Sequence, residues 1–211
     1  MKLLITLIVL VLPLSLNAEA LFDKGIEPGY FVGPTAQFSL VDGKGAAFLG
    51  VEGAITANSE WMLGFSGTTM VSDLEIKTGL TDDSFKSLHL SYLGVKLGYI
   101  SNPSWLIHWT LGGVIGGGQT IFKTPSDRKI TGFDYPTVTE SCFVVEPEFR
   151  AEVNVTDYLR FIAGVNYRWI AFGGNNFGID SIDLSGVGMK FSLHFGKMSS
   201  NIKNKNSGMK W

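Results

Sequence analysis

The chain is poor in the features that mark most water-soluble enzymes. Only one cysteine, Cys142, occurs in 211 residues. That excludes an intrachain disulfide framework and a CxxC metal or redox site. Charge of either sign is scarce: 17 Lys and Arg stand against 19 Asp and Glu, leaving a net charge of -2. Without clustered positive charge there is no footprint for nucleic acid. The three histidines, His89, His108 and His194, show no metal-ligand spacing. No glycine-rich phosphate loop stands between a strand and a helix. Beyond residue 20 no run is long and apolar enough for a transmembrane helix. No cofactor is implied.

The first twenty residues read as a secretion signal. Lys2 is the charged start, Leu3 to Leu16 the apolar core, and Ala18-Glu19-Ala20 a small-x-small cleavage site. The run is short for a membrane span and contains Pro13. The expected division is therefore 1–20 signal peptide, 21–195 folded domain and 196–211 a lysine- and asparagine-rich periplasmic tail.

The remainder is written in a period of two. Along 143–155, Phe143, Val145, Pro147, Phe149, Ala151, Val153 and Val155 fall on one face. Val144, Glu146, Glu148, Arg150, Glu152 and Asn154 fall on the other. Past Thr156 and Asp157 the alternation resumes with Leu159, Phe161, Ala163, Val165, Tyr167 and Trp169 opposite Arg160, Ile162, Gly164, Asn166 and Arg168. Side chains alternate across a pleat, so this period means strands. The pattern recurs over 29–41, 46–56, 61–71, 87–100, 105–116 and 182–195. An Asp42-Gly43-Lys44-Gly45 turn joins the first two. The apolar faces are too numerous for one soluble core. The reading is an all-β, eight-stranded antiparallel up-and-down transmembrane β-barrel, with apolar side chains toward lipid.

Connection lengths support it. Links after the second, fourth and sixth strands are short. Those after the third, fifth and seventh (72–86, 116–140 and 172–181) are long. Short periplasmic turns and long outer loops are the asymmetry of bacterial outer-membrane barrels. Aromatic residues Tyr30, Trp61, Tyr99, Trp105, Tyr158, Trp169 and Phe195 sit near strand ends, where a membrane–water girdle would lie.

On this reading Glu52, Glu146, Glu148 and Glu152 share the lumen with Lys96, Arg150, Arg160, Arg168 and Lys190. An eight-stranded barrel holds only its own side chains. Buried charges must then be paired, because a lone ion costs several kcal/mol. The near balance of signs implies a filled plug. With a three-residue turn between the sixth and seventh strands, Glu152 would face Arg160 and Glu146 would face Asn166. Three details resist the pattern. Leu88, Leu90 and Tyr92 fall in the wrong phase, which a bulge or a strand end clear of the bilayer would explain. Pro34 and Pro147 each remove a ladder donor, and a local bulge would accommodate either.

The run FVVEPEFRAEVNVTDYLRFIAGVNYRW, then Asp183-Leu184-Ser185-Gly186 and a closing Phe191-Ser192-Leu193-His194-Phe195-Gly196-Lys197, resembles outer-membrane barrel proteins of Bacteroidetes-type bacteria. More broadly the chain resembles the small outer membrane protein A/X barrels. The resemblance implies a bacterial outer-membrane location, contact with outer-membrane lipids, and a last strand whose Phe195 is read by the barrel-assembly machinery. The tail after Phe195 is too short for a peptidoglycan-binding domain. Two other functional classes fit parts of the pattern. A lipid-modifying enzyme, such as a lipid A deacylase, would need a Ser–His pair, and His89 with Ser91 or Ser192 with His194 offers one without an identifiable acid. A soluble periplasmic lipid-binding barrel would turn the same faces inside out. The expectation is a non-enzymatic structural or surface-interaction barrel.

Overall fold

The computed structural model describes residues 28–77, 85–123, 138–172 and 184–197. The expected signal peptide and most of the expected tail lie outside them. Nine strand segments follow in order: β1 Pro28–Val41, β2 Lys44–Ala57, β3 Trp61–Met70, β4 Leu74–Lys77, β5 Phe85–Ser101, β6 Ile107–Lys123, β7 Val138–Asn154, β8 Leu159–Phe172 and β9 Gly186–Phe195. Every pairing is antiparallel, and all but β1 with β9 and β3 with β5 join neighbours in sequence. β3 and β4 both pair with β5 and form one interrupted stave. The result is a closed barrel of eight staves.

Backbone chemistry places the turns. Asp42 and Gly43, the central pair of the β1–β2 hairpin, have φ of 51° and 69°. Positive φ at both positions is what a type I′ hairpin turn demands, and Asp-Gly tolerates it. Residues 58–60, 102–106 and 155–158 turn the chain at the opposite end. There the two ends of the barrel also meet, the Tyr30 amide donating to the Lys197 carbonyl at 2.8 Å. Connections 78–84, 124–137 and 173–183 lie outside the described residues, on the side of the β1–β2 turn.

Several expectations are corrected. The stretch 116–123 belongs to β6, and β7 begins at Val138, so both strands run well past the expected loop boundary. Glycine is needed at Gly116 because a Cβ there would sit 2.1 Å from the Leu93 carbonyl oxygen. Leu74–Lys77, expected as loop, is the β4 strand. Trp105 lies in the turn before β6, whose first residue is Ile107. The last strand starts at Gly186.

No bulge occurs at Tyr92: β5 keeps one register with β3 and with β6 along its length. Neither proline needs one. The Val32↔Phe195 and Thr35↔Ser192 pairs keep the same register on both sides of Pro34. Likewise Val145↔Trp169 and Glu148↔Asn166 bracket Pro147. Each proline interrupts one ladder without shifting it. The β7–β8 hairpin is offset by two residues from the expected pairing: Glu148 faces Asn166 and Asn154 faces Arg160. Residues 155–158 close it through Val155 and Thr156 amides that donate to the Leu159 carbonyl.

The seam between β1 and β9 gives the first testable consequence. A Cβ on Gly33 would lie 1.7 Å from the Leu193 carbonyl oxygen, a backbone atom that cannot step aside. Gly33→Ala is expected to open this seam and remove most of the compact, heat-modifiable band on cold gels. Gly45→Ala, whose Cβ would meet nothing within 4 Å, should leave that band unchanged.

Candidate functional site

The pleat decides what each side of the wall offers. Phe149 is 51% exposed and Leu193 40%, whereas Glu148 is 2% and Arg168 0% exposed. A soluble barrel would show the reverse. The exterior carries Val32, Leu49, Phe65, Val95, Leu111, Val165 and Met189 among its exposed side chains. A contiguous apolar surface of this kind is tolerated only against lipid or a partner. Of the aromatic residues singled out above, Tyr30, Trp61, Tyr99, Trp105, Tyr158 and Phe195 stand at the short-turn end, and Trp169 at the other. Trp61 and Tyr99 pair across β3 and β5 with ring centroids 5.1 Å apart, and Trp109 follows at 6.2 Å from Tyr99. At the far end Trp169 meets Phe143 edge-on at 6.4 Å.

Inside, the inward positions of six staves meet in an ionic layer. Glu52 of β2 is its centre. It accepts from Lys96 Nζ at 2.7 Å, Arg150 Nη1 at 2.9 Å and His194 Nε2 at 2.6 Å. Glu148 bonds Lys96 and lies 3.4 Å from Lys190 Nζ. Glu146 accepts from Lys190 at 2.6 Å and from the Tyr92 hydroxyl at 2.5 Å. Glu152 accepts from Arg160 at 2.8 Å and from Thr110 Oγ1 at 2.6 Å, with His108 Nε2 at 3.4 Å. Thus Glu52, Glu146, Glu148 and Glu152 are matched by Lys96, Arg150, Arg160 and Lys190. Such a layer satisfies what burial of charge requires.

Arg168 stands apart. Among the described residues it reaches no carboxylate; it donates weakly to the Leu184 and Leu40 carbonyls, at 3.4 and 3.5 Å. Its guanidinium lies 4.5 Å from the centre of the Phe48 ring, a cation–π contact. It marks the boundary with a second layer that the sequence reading missed. Toward the β1–β2 turn the lumen is apolar: Val41, Phe48, Met70, Leu88, Leu90, Val144, Ile170 and Leu184 form one buried cluster. The misphased Leu88, Leu90 and Tyr92 belong here. They point inward like every alternate residue of β5, and their signal was in the sequence as an apolar run on the charged face. A smaller cluster of Phe31, Ala54, Met62 and Ile100 closes the short-turn end, where Phe31 stacks on His194 at 3.9 Å.

The outer wall changes character above the belt. Thr69, Ser91, Gln119 and Ser141 are direct cross-strand neighbours on β3, β5, β6 and β7. His89 sits one step further along β5. Its Nε2 lies 3.4 Å from Ser91 Oγ and 3.3 Å from Thr69 Oγ1. Thr69 and Ser91 hydroxyls are 2.7 Å apart. The residue across from His89 on β6 is Ile121, so among the described residues no acid orients the imidazole as a hydrolytic triad requires. Ser192 and His194 both point into the lumen, and His194 is bonded to Glu52. Nor do the described residues contain a group of His, Cys, Asp or Glu side chains placed to hold a metal ion.

A closed eight-stave wall with a greasy exterior and buried charges inside defines the class: a transmembrane up-and-down β-barrel. No family model matches the sequence, and no curated protein is similar to it in sequence. Solved structures match in fold. Neisserial surface protein A superposes with a TM-score of 0.53 at 9% identity, over 83% of this chain and 99% of that one. Ail of Yersinia pestis, in complex with the heparin analogue sucrose octasulfate, gives a TM-score of 0.48 at 14% identity, over 81% and 98%. OprG of Pseudomonas aeruginosa gives 0.45 at 15%, over 81% and 94%. The fold is that of the small outer-membrane β-barrels.

Proposed function

We propose that this protein is an integral barrel of a bacterial outer membrane, closed to solutes, with a structural or surface-interaction role at its β1–β2 end through connections 78–84, 124–137 and 173–183. The observation that carries this reading is the pairing of an outward apolar belt with a lumen occupied along its length. The ionic layer and the apolar cluster lie in series, which supports a barrel that does not conduct. Work must then be done by the wall and by the end that faces outward. Outer-membrane lipids cover the belt. Recognition of the last strand by the assembly machinery would use Phe195, which is exposed there. Among the described residues no acid stands beside the Ser91–His89 contact, which supports a non-catalytic role.

The test is reconstitution. Protein taken from membranes is expected to need detergent, to fold in micelles and to show heat-modifiable gel mobility. In a planar bilayer it should give no stepwise conductance. A detergent-free soluble monomer would end the membrane reading, and regular conductance steps would end the closed-lumen reading.

A further inference from the structure

Among the described residues the belt shows a recess. Where β1 runs between β2 and β9, a groove of about 400 Å³ opens on the outer wall near the β1–β2 turn. Phe38 and Leu40 of β1 and Val187 and Met189 of β9 line it, all exposed. The sequence of β2 explains the indentation. Its outward row carries Leu49, Val51 and Ile55 lower in the belt, but shrinks to Ala47 and then Gly45 beside the groove. Two side-chain hydroxyls reach the lining, and both are engaged with backbone. Ser72 Oγ accepts from the Ala47 amide at 3.0 Å, and Ser39 Oγ donates to the Leu40 carbonyl at 3.3 Å. The groove therefore offers a ligand apolar contact and little polar recognition.

Its depth in the membrane follows from register. Val187 pairs with Tyr167 and Met189 with Val165 on β8. Trp169, two residues beyond Tyr167 on the same face, marks the aromatic boundary at that end. The groove lies just inside that boundary, in the leaflet on the β1–β2 side. The volume is within the range of single small-molecule sites, about 300–1,000 Å³. A stable second copy would instead need a matched surface of about 800 Å² per partner.

We infer that this groove seats one acyl chain of a lipid in the outward-facing leaflet, held longer than the lipids around the rest of the belt. Where the wall is recessed, a chain is touched on its sides as well as beneath, and dispersion contacts accumulate. The inference rests on the proposal that the belt faces lipid. The test uses the full chain in phosphatidylethanolamine–phosphatidylglycerol bilayers containing a phosphatidylethanolamine with a photoactivatable acyl chain. Labelled residues are mapped by peptide mass spectrometry. Labelling is expected to be several-fold higher at 38–47 and 187–189 than at 93–97 on another part of the belt. Ala47→Phe, which fills the recess, should abolish that enrichment while total labelling and the heat-modifiable band remain. Ala47→Leu serves if the larger ring impairs folding. Even labelling around the belt, or enrichment that survives both substitutions, overturns the inference. Crosslinking of the groove to a second copy in place of lipid also overturns it. No labelling at any belt position would overturn the membrane reading itself.

Discussion

Glu52→Leu should lower the unfolding free energy in detergent by about 3–5 kcal/mol, the usual cost of breaking a buried ion pair by removing one partner. Glu52 is fully buried and joins Lys96, Arg150 and His194. Without it Lys96 keeps Glu148, but Arg150 loses its shortest carboxylate contact and the layer is left with excess positive charge. Urea titration of micelle-folded protein measures the loss. The cause is distinguished by a second change: adding Lys96→Met to Glu52→Leu should recover part of the loss, since it removes the layer's excess positive charge. Full additivity of the two substitutions would mean that the layer is not coupled. High salt should change little in the parent protein, because charges buried in this way are screened far less than surface pairs.

Val95→Arg should destabilise the folded barrel by about 2–4 kcal/mol in a bilayer, the cost of arginine on the lipid face near the midplane. Val95 is exposed, sits between Phe65 on β3 and Ile115 on β6, and lies midway between the Tyr99 end and the Ser91 row. At an exposed position in water the same change would fall within about 0.5 kcal/mol. Two effects so different make one substitution enough to decide which solvent the wall meets. Refolding into lipid vesicles, followed by denaturant unfolding, gives the measurement.

The strand pattern was legible because the pleat forces alternation and the two solvents differ sharply. Residues 143–169 show it with hardly a break, and most inward and outward assignments there agree with the structure. What escaped has local causes. Residues 116–118 read as a loop because glycine normally breaks strands, yet at Gly116 and Gly118 the β5 backbone comes too near to admit a side chain. The inward Leu88, Leu90 and Tyr92 read as an irregularity because the lumen was taken as uniformly polar. It is layered, and apolar residues near the β1–β2 end pack against one another in a single cluster. The pairing of β7 with β8 missed by two residues because turn length is not encoded by alternation. A two-residue error preserves the face of every side chain, and Glu152 still reaches Arg160 across the offset, at 2.8 Å. Arg168 shows the limit of counting charges: inward like the others, it stacks on Phe48 and takes no part in the carboxylate layer.

The first strand finds its second neighbour only in the last. β1 has β2 beside it early, but its other edge waits for β9, with Thr35 opposite Ser192 and Phe38 opposite Met189. A nascent product cut short before Gly186 would carry two raw ribbon margins, those of β1 and β8, and would be driven to stick to its own kind. Completeness of translation is therefore checked by geometry: only a chain synthesised through Phe195 can become a ring.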